Sequence, residues 1–351
     1  MKHFLTALCV VSIVLLWLSA ASVYVPPAWC QWATLAGLAF PIMLVATLSL
    51  GLLMLLFCPR RVWLPLIGLL ACGGSICTYF PVHLAFKAPE GALKVMSYNC
   101  QAFGGSDGRS DMLHYLAFSG CDIICLQEAS LRAPLYKEEV APALRARTPH
   151  WTTGPSGCNH LFTASRYPIV KTEDILRRDT GNSAFAAWIA LPSRDTLVVV
   201  NCHLASNRFS DSERTEFGDI VHQGEGKGHR AEAAHIKHLM RKISLSSPER
   251  GRQADTIADY VARLMPRHKV IVCGDLNSTP ISYPRYRIVS TGLVDAYRAT
   301  GAGLGRSYHE NAMPVRIDYI FASPALKPCN AHIDPTPGWS DHYPIVSYFT
   351  R

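Results

Sequence analysis

A chain of 351 residues with 34 Lys and Arg against 26 Asp and Glu is long enough for two folded units, and its charges mark where they divide. Before Glu90 there is no acidic residue, and the only Lys or Arg residues are Lys2, Arg60, Arg61 and Lys87. That composition excludes a wholly water-soluble chain; beyond it, 30 of the 34 basic residues stand against all 26 acids, a mild balance that neither demands nor excludes a nucleic-acid partner.

Three apolar runs, 4–25, 32–57 and 62–83, each reach the roughly 20 residues that cross a bilayer. Pro26 and Pro27 separate the first two, and Pro59-Arg60-Arg61 separates the second pair. Because Lys and Arg favour the cytoplasmic side, Lys2 and the Arg60-Arg61 loop are expected inside and everything after Lys87 outside. A cleavable signal, with Lys2, an apolar core and Ala20-Ala21, is the rival reading of the first run and leaves that orientation unchanged. The third run, which holds Gly68, Gly73, Gly74 and His83, is the weakest span, and its loss would put the remainder inside. The expected division is a transmembrane anchor at 1–89 and one α/β domain at 90–351. Of the twelve cysteines, Cys9, Cys58, Cys72 and Cys77 lie in or beside the spans, while Cys125, Cys202 and Cys273 sit in strand-like runs and read as small buried hydrophobes. No Cys/His zinc spacing occurs, so no structural zinc is expected.

In the second segment, residues 94–99 read as a strand ending in the amide of Asn99, followed by a Gly104-Gly105 loop. Helical spacing of Met112, Leu113, Tyr115, Leu116 and Phe118 then runs to Gly120, a stop signal. Residues 122–128 form a second buried strand with Glu128 at its end. A carboxylate there is costly unless something compensates it, so Glu128 needs a cation or an arginine such as Arg132. Strands are expected at 160–165, at 185–191 and at 196–204, where Asn201 and His203 share a face.

From Ala205 to about Arg250 the polar, Gly-containing chain reads as a long loop, functional or disordered. Within it, His222, His229, His235 and His238 fit no common metal spacing and read as a solvated face. A helix at 253–265 packs through Ile257, Tyr260, Val261 and Leu264. The apolar run 269–274 ends in Asp275 and Asn277, which a period of two points the same way. Such a pair suits a hard cation or a phosphate, or an Asx turn closed on its own backbone. A turn and short helix at 278–289, a flexible loop at 301–305, a strand at 316–321 carrying Asp318, and a last strand at 345–349 preceded by Asp341 and His342 complete the chain.

Strand ends thus deliver Asn99, Glu128, His203, Asp275 with Asn277, Asp318, and Asp341 with His342. Oxygen ligands without cysteine favour Mg²⁺, Mn²⁺ or Ca²⁺ over zinc, and two histidines among carboxylates can move protons or bind a phosphoryl oxygen. These are the parts for metal-assisted hydrolysis of a phosphoester. The ordered set Ser97-Tyr98-Asn99, Leu126-Gln127-Glu128, Asn201-Cys202-His203-Leu204, Gly274-Asp275-Leu276-Asn277, Arg316-Ile317-Asp318-Tyr319-Ile320 and Ser340-Asp341-His342 resembles the endonuclease/exonuclease/phosphatase superfamily, the deoxyribonuclease-I-like fold.

The resemblance covers nearly all of 93–351 and leaves out the membrane segment. It implies a four-layered α/β sandwich, with two mostly antiparallel sheets flanked by helices and the site at one edge. Carried over by position, Glu128 is implied as the principal Mg²⁺ ligand, with Asn99 and Asp341 beside it. Asp275 is implied to orient or deprotonate the attacking water, and Asn277 to hold water or a phosphoryl oxygen. His342, oriented by Asp318, is implied to stabilise the pentavalent phosphorus, and His203 to contact the phosphate or assist the leaving group. The glutamate that partners this histidine in the deoxyribonuclease branch has no recognisable counterpart here.

The expected function is phosphodiester hydrolysis by a nuclease-type endonuclease or exonuclease held at a membrane. A phospholipid phosphodiesterase or phosphatase presents the same chemistry, and a catalytically inactive tethered binding domain is the reading of another class. Arg208, Arg230, Lys237 and Arg241 are the candidates for lining a nucleic-acid groove. The expected partners are the phosphoester substrate, nucleic acid or phospholipid, and the membrane lipid around the N-terminal helices, with no obligate protein partner.

Overall fold

The computed structural model describes the chain except for residues 1, 85–86, 131–132, 156–159, 177–181, 208, 211, 214, 217–218, 220–228, 311–314 and 351. The acid-free beginning of the chain is helical. Helices α1 (Lys2–Ala21) and α3 (Phe40–Phe57) are apolar along their lengths, and the short α2 (Ala33–Leu38) lies on the connection between them. The third apolar run is broken into α4 (Trp63–Ala71) and α5 (Gly73–Tyr79), bent by 60° at a break next to Gly73 and Gly74. Among the described residues, two helices therefore meet the length and composition of a membrane span, or three if the bent pair crosses as one.

Beyond Leu93 the chain builds two six-stranded sheets. The strands are β1 (Leu93–Asn99), β2 (Ile123–Gln127), β3 (His150–Thr152), β4 (Leu161–Ser165), β5 (Ile169–Leu176), β6 (Ser183–Ala190), β7 (Thr196–His203), β8 (Lys269–Asp275), β9 (Val294–Asp295), β10 (Asp318–Ala322), β11 (Lys327–Ile333) and β12 (Ile345–Thr350). One sheet runs β11-β12-β1-β2-β4-β3 and the other β5-β6-β7-β8-β10-β9. Pairing among the described strands is antiparallel except for β1 with β2 and β7 with β8, the central pair of each sheet.

Both faces of these central strands are buried, which is why they read as near-continuous apolar runs. Val95, Ile123, Cys125, Val199, Ile271, Cys273 and Ile320 fill the space between the sheets. On the outside of the first sheet, Met96, Ile124 and Leu126 pack against Met112 and Leu116 of helix α6 (Gln101–Phe118). On the outside of the second, Val198, Val270 and Val272 pack against Ala254, Ile257 and Val261 of helix α7 (His229–Leu264). Helix, sheet, sheet and helix make the four-layered α/β sandwich.

Three sequence expectations change. The polar stretch read as a loop up to Arg250 is helical from His229, because its buried positions Leu239, Ser244, Ser247 and Arg250 recur at helical spacing beneath an exposed polar face. The helix expected at 253–265 is only its second half. Phe118, counted among the packing residues of α6, is 77% exposed. On α7, His238 meets Glu213 Oε1 at 2.7 Å and His235 meets Glu216 Oε2 at 3.2 Å, while His222, Arg208 and the glycines 224–228 lie outside the described residues. Lys237 and Arg241 are exposed on the same helix, where Arg230 also falls.

The helical segment docks on the sandwich. A side chain at Gly37 would place its Cβ 2.3 Å from the carbonyl of Ile281, so only glycine permits that approach. Ser247 Oγ donates to the Gln31 carbonyl at 3.4 Å, and Arg316 Nη2 donates to the Thr78 carbonyl at 2.7 Å. Arg316 belongs to a buried trio in which Asp295 accepts from Arg285 Nε at 2.9 Å and from Arg316 Nη1 at 3.3 Å. Burial pushes the Asp295 carboxyl up, but the two guanidinium groups outweigh it and hold it below the ordinary range.

Replacing Asp295 by Ala leaves two buried cations without their acid and is expected to cost about 3–5 kcal/mol. Chemical denaturation of the full chain in detergent measures this, and a loss under about 1 kcal/mol would show that the trio contributes little. Since the folded value is lowered, the contribution is complete above the unfolded pKa near 4 and fades only as pH falls through the lowered value.

Candidate active site

Alternation along each central strand decides what reaches the rim between the sheets. Val95, Ser97 and Asn99 share the inner face of β1, and Val199, Asn201 and His203 share that of β7. Ile271, Cys273 and Asp275 do so on β8. Each column starts apolar and ends polar. Its middle layer is an amide lock: Gln127 Nε2 donates to Asn201 Oδ1 at 2.7 Å, and Asn201 Nδ2 donates to the carbonyls of Leu126 and Phe162, both at 3.1 Å. Asn201, expected near the site, thus joins the two sheets one layer below it.

The pairing register aligns the rim itself, with His203 beside Asp275 on one side and Asp318 on the other. Close approach of β7 and β8 there requires Gly274, at φ 147°, since a Cβ would come 1.8 Å from the Cys202 carbonyl. Asn99 Nδ2 bridges the sheets, donating to Glu128 Oε1 at 3.0 Å and to Asp275 Oδ2 at 3.2 Å. Asp275 Oδ2 also lies 3.6 Å from His203 Nε2 and 3.8 Å from His342 Nε2. His342 Nδ1 donates to Asp318 Oδ2 at 2.8 Å, and its Nε2 is 4.0 Å from Asp341 Oδ1. All eight residues singled out in the sequence therefore converge at one rim.

The local backbone is unusual where the acids are presented. Glu128 and Asn277 adopt left-handed backbone at φ 51° and 48°, as do residues 101–105 after Asn99. The Glu128 carbonyl accepts from the amides of Ala102 at 2.8 Å and Ser130 at 2.7 Å, which clamps the two turns together. Asp275 Oδ1 accepts from the Asn277 amide at 2.7 Å, so the Asx turn that was the alternative reading of this pair forms. The same turn leaves Asp275 Oδ2 free for Asn99 and the histidines.

Charge at this rim is strongly unbalanced. Among the described residues, Glu128, Asp275 and Asp318 have no Lys or Arg ion partner. Arg132, the alternative partner for Glu128, lies outside them. Burial and the neighbouring Asp318 charge push the Asp275 carboxyl up to about 6, against the pull of His342 and His203. Burial disfavours the charged form of His342, yet Asp318, Asp275 and Asp341 outweigh it and hold the imidazolium up to about 10.

A hard cation fits such a site. Among the described residues, Asp318 Oδ1 and both ring nitrogens of His203 are buried without a hydrogen-bond partner, and the carboxylates outnumber the cations around them. Two sets of residues could hold an ion. Ligand atoms of Asp275, Asp318 and His342 lie within 4.8 Å of one another. The His342 Nδ1 of that trio is already bonded to Asp318, however, whereas Glu128 is 42% exposed, faces the cavity and has the Asn99 amide beside it. Glu128 and Asp341, which with Asn99 make the set expected from the sequence, both line the same cavity.

Several residues at the site were not visible in the sequence. Ser307 Oγ accepts from the amides of Ile317 at 3.0 Å and Asp318 at 3.1 Å and so fixes Asp318. The Tyr308 ring stands edge-on to His342 at 5.2 Å. Arg250, Thr34 and Leu38 line the cavity above the acids. Arg250 was hidden in a stretch read as loop, and Thr34 and Leu38 in one read as membrane span.

The sequence profile of the endonuclease/exonuclease/phosphatase family matches residues 96–342, and that of a domain of unknown function matches residues 2–79. No curated protein matches the chain. Among solved structures, SmcL is similar at 17% identity, over 75% of this chain and 100% of its own, with a TM-score of 0.51. An endonuclease/exonuclease/phosphatase from Beutenbergia cavernae DSM 12333 is similar at 17% identity, over 74% and 71%, with a TM-score of 0.50. A family protein from Leptotrichia buccalis C-1013-b is similar at 15% identity, over 74% and 100%, with a TM-score of 0.50. The structural likenesses are likenesses of fold; the profile match extends over more than half of the chain, which belongs to the endonuclease/exonuclease/phosphatase family.

Proposed function

We propose that this chain is a membrane-held, divalent-metal-dependent phosphodiester hydrolase, with residues 1–89 as the anchor and 90–351 as the catalytic domain. What carries the reading is Asp275 Oδ2, which has the Asn99 amide and two imidazoles within 4 Å at the rim of a cavity also lined by Glu128 and Asp341. Glu128, Asn99 and Asp341 hold the cation; Mg²⁺ is the first choice, with Mn²⁺ and Ca²⁺ as alternatives. When bound, it withdraws charge from a phosphoryl oxygen.

Asp275 orients the attacking water and takes its proton, while Asn277 holds that water or a phosphoryl oxygen. His342, kept cationic by Asp318, meets the charge that builds on the equatorial oxygens of the pentavalent phosphorus. His203 contacts the phosphate or the leaving group. Its Nδ1 has no orienting carboxylate among the described residues, so contact is the role favoured for it. A tethered binding module without turnover would have no use for a His342–Asp318 pair directed at Asp275.

Placement of the catalytic domain outside the cytoplasm is supported by where the helices touch it. The contacts fall near Tyr24, at α2, at Phe40 and at Thr78, whereas Arg61 Nη1 bonds Thr6 Oγ1 at the opposite end, near Lys2. Exposed apolar side chains such as Leu52, Leu56 and Leu70 give the bundle a surface suited to acyl chains.

Glu128→Gln should lower turnover about 100-fold or more while leaving the circular dichroism spectrum unchanged, and chelation should abolish activity that Mg²⁺ restores. Unchanged turnover would remove Glu128 from the site. Asp318→Ala and His342→Ala should each cost about 10²–10⁴-fold, and the double variant little more than the worse single one. Additive losses would mean that the two do not act as a unit. For topology, Ser106→Cys, in a background with Cys30 and Cys77 replaced by Ser, should react with an impermeant thiol reagent on intact cells; labelling only after lysis would invert the orientation.

A further inference from the structure

The cavity above the catalytic acids is lined by unlike groups. Its lining combines Asp275, Asn277 and His342 with the apolar Leu38 of α2, Phe209 and Ile243. The apolar lining belongs in part to the segment joining the apolar helices α1 and α3, and that segment is fixed in place. Gly37 is pressed against the Ile281 carbonyl, Gly251 abuts Pro27, and the Tyr24 and Tyr286 rings meet edge-on at 4.9 Å.

Two more observations bear on what fills the cavity. On the same connection, Trp29 is 85% and Trp32 54% exposed, the residue type that settles at headgroup depth where apolar helices leave a bilayer. Among the described residues that line the cavity, Arg250 is the only Lys or Arg, and it is 2% exposed. Among the described residues its guanidinium bonds neutral oxygens, the Ala205 carbonyl at 3.1 Å, Asn207 Oδ1 at 2.6 Å and the Ile243 carbonyl at 3.2 Å, while the Asp275 charge acts on it without a direct bond. A buried cation that bonds no carboxylate directly is costly and becomes more favourable when an anionic ligand shares its cavity.

We propose that the α1–α3 connection forms one wall of the substrate site and that the substrate is a membrane phospholipid. Its phosphodiester lies between the acid–histidine rim and Arg250, and its apolar part runs along Leu38, Phe209 and Ile243 toward the bilayer. In the reaction the oxygen of water bonds to phosphorus, one P–O ester bond breaks, and the proton released by the water passes to the leaving alkoxide. This deepens the hydrolase reading and rests on it. Nucleic acid, the substrate expected from sequence, is the competing outcome of the test.

The full chain, purified in detergent with Mg²⁺, should be given three substrates: vesicles of phosphatidylcholine, phosphatidylethanolamine and phosphatidylglycerol; bis(p-nitrophenyl) phosphate as a soluble diester without a chain; and plasmid DNA. Hydrolysis of phospholipid is expected, and Leu38→Asp should raise KM for the vesicles at least 10-fold more than KM for the soluble diester. Leu38→Ala, which keeps an apolar wall, should move that ratio in the same direction by about threefold and serves if the Asp variant does not fold. Cleavage of the soluble diester or DNA without cleavage of phospholipid overturns the inference and leaves the hydrolase reading standing. So does an unchanged KM ratio in both variants. Failure on all three substrates removes the hydrolase reading itself.

Discussion

The structure depends on one constraint: side chains on a strand alternate between two faces, and here the inner faces of four central strands change from apolar to polar at the same height. Below that height, Val95, Val199, Ile271 and Ala322 close the core; above it stand Asn99, His203, Asp275 and Asp318. A slip of one residue in the β7–β8 or β8–β10 register would turn the acids outward and bury apolar positions in their place. Catalytic geometry and core packing are therefore the same alignment, and the amide lock of Gln127 and Asn201 sits at the level where one becomes the other.

Glu128, Asp275 and Asp318, which have no Lys or Arg ion partner among the described residues, would repel one another, and the fold meets that repulsion in two ways. Asp318 is paired to His342, and Asp275 is bracketed by two histidines and the Asn99 amide. Glu128, more exposed and on left-handed backbone, is left with an amide and an imidazole 3.8 Å away. An inward-facing acid–imidazole pair and an outward-facing carboxylate are distinct arrangements built from similar residues. That division is what supports the proposal of Glu128, rather than Asp318, as the cation ligand.

Much of this was legible because strands with both faces buried write themselves as apolar runs, and polar residues at their ends stand out. Glu128, His203 and Asp275 were found in that way, and Asp318 by its place in a later strand. The helix from His229 was not, because its polar face outweighs its narrow buried stripe of Leu239, Ser244, Ser247 and Arg250. Arg250 was invisible for the same reason. The edge strands β3, β9 and β11 are short or only half buried and carry little periodic signal. Leu38 could not be assigned to the site, since within an apolar run nothing separates a lipid-facing leucine from one that lines a cavity.

The bond from Arg316 to the Thr78 carbonyl has a consequence for how this protein is handled. The guanidinium is wholly buried between Tyr297 and Tyr319, and its outermost donor ends on a helix of the N-terminal segment. A soluble fragment starting at Glu90 would leave that donor facing solvent through a fresh opening, would bare Ile281, and would lack part of the lining of its own cleft. The leading helices are thus a stopper for the sandwich, and trimming them for crystallisation or assay yields a different molecule.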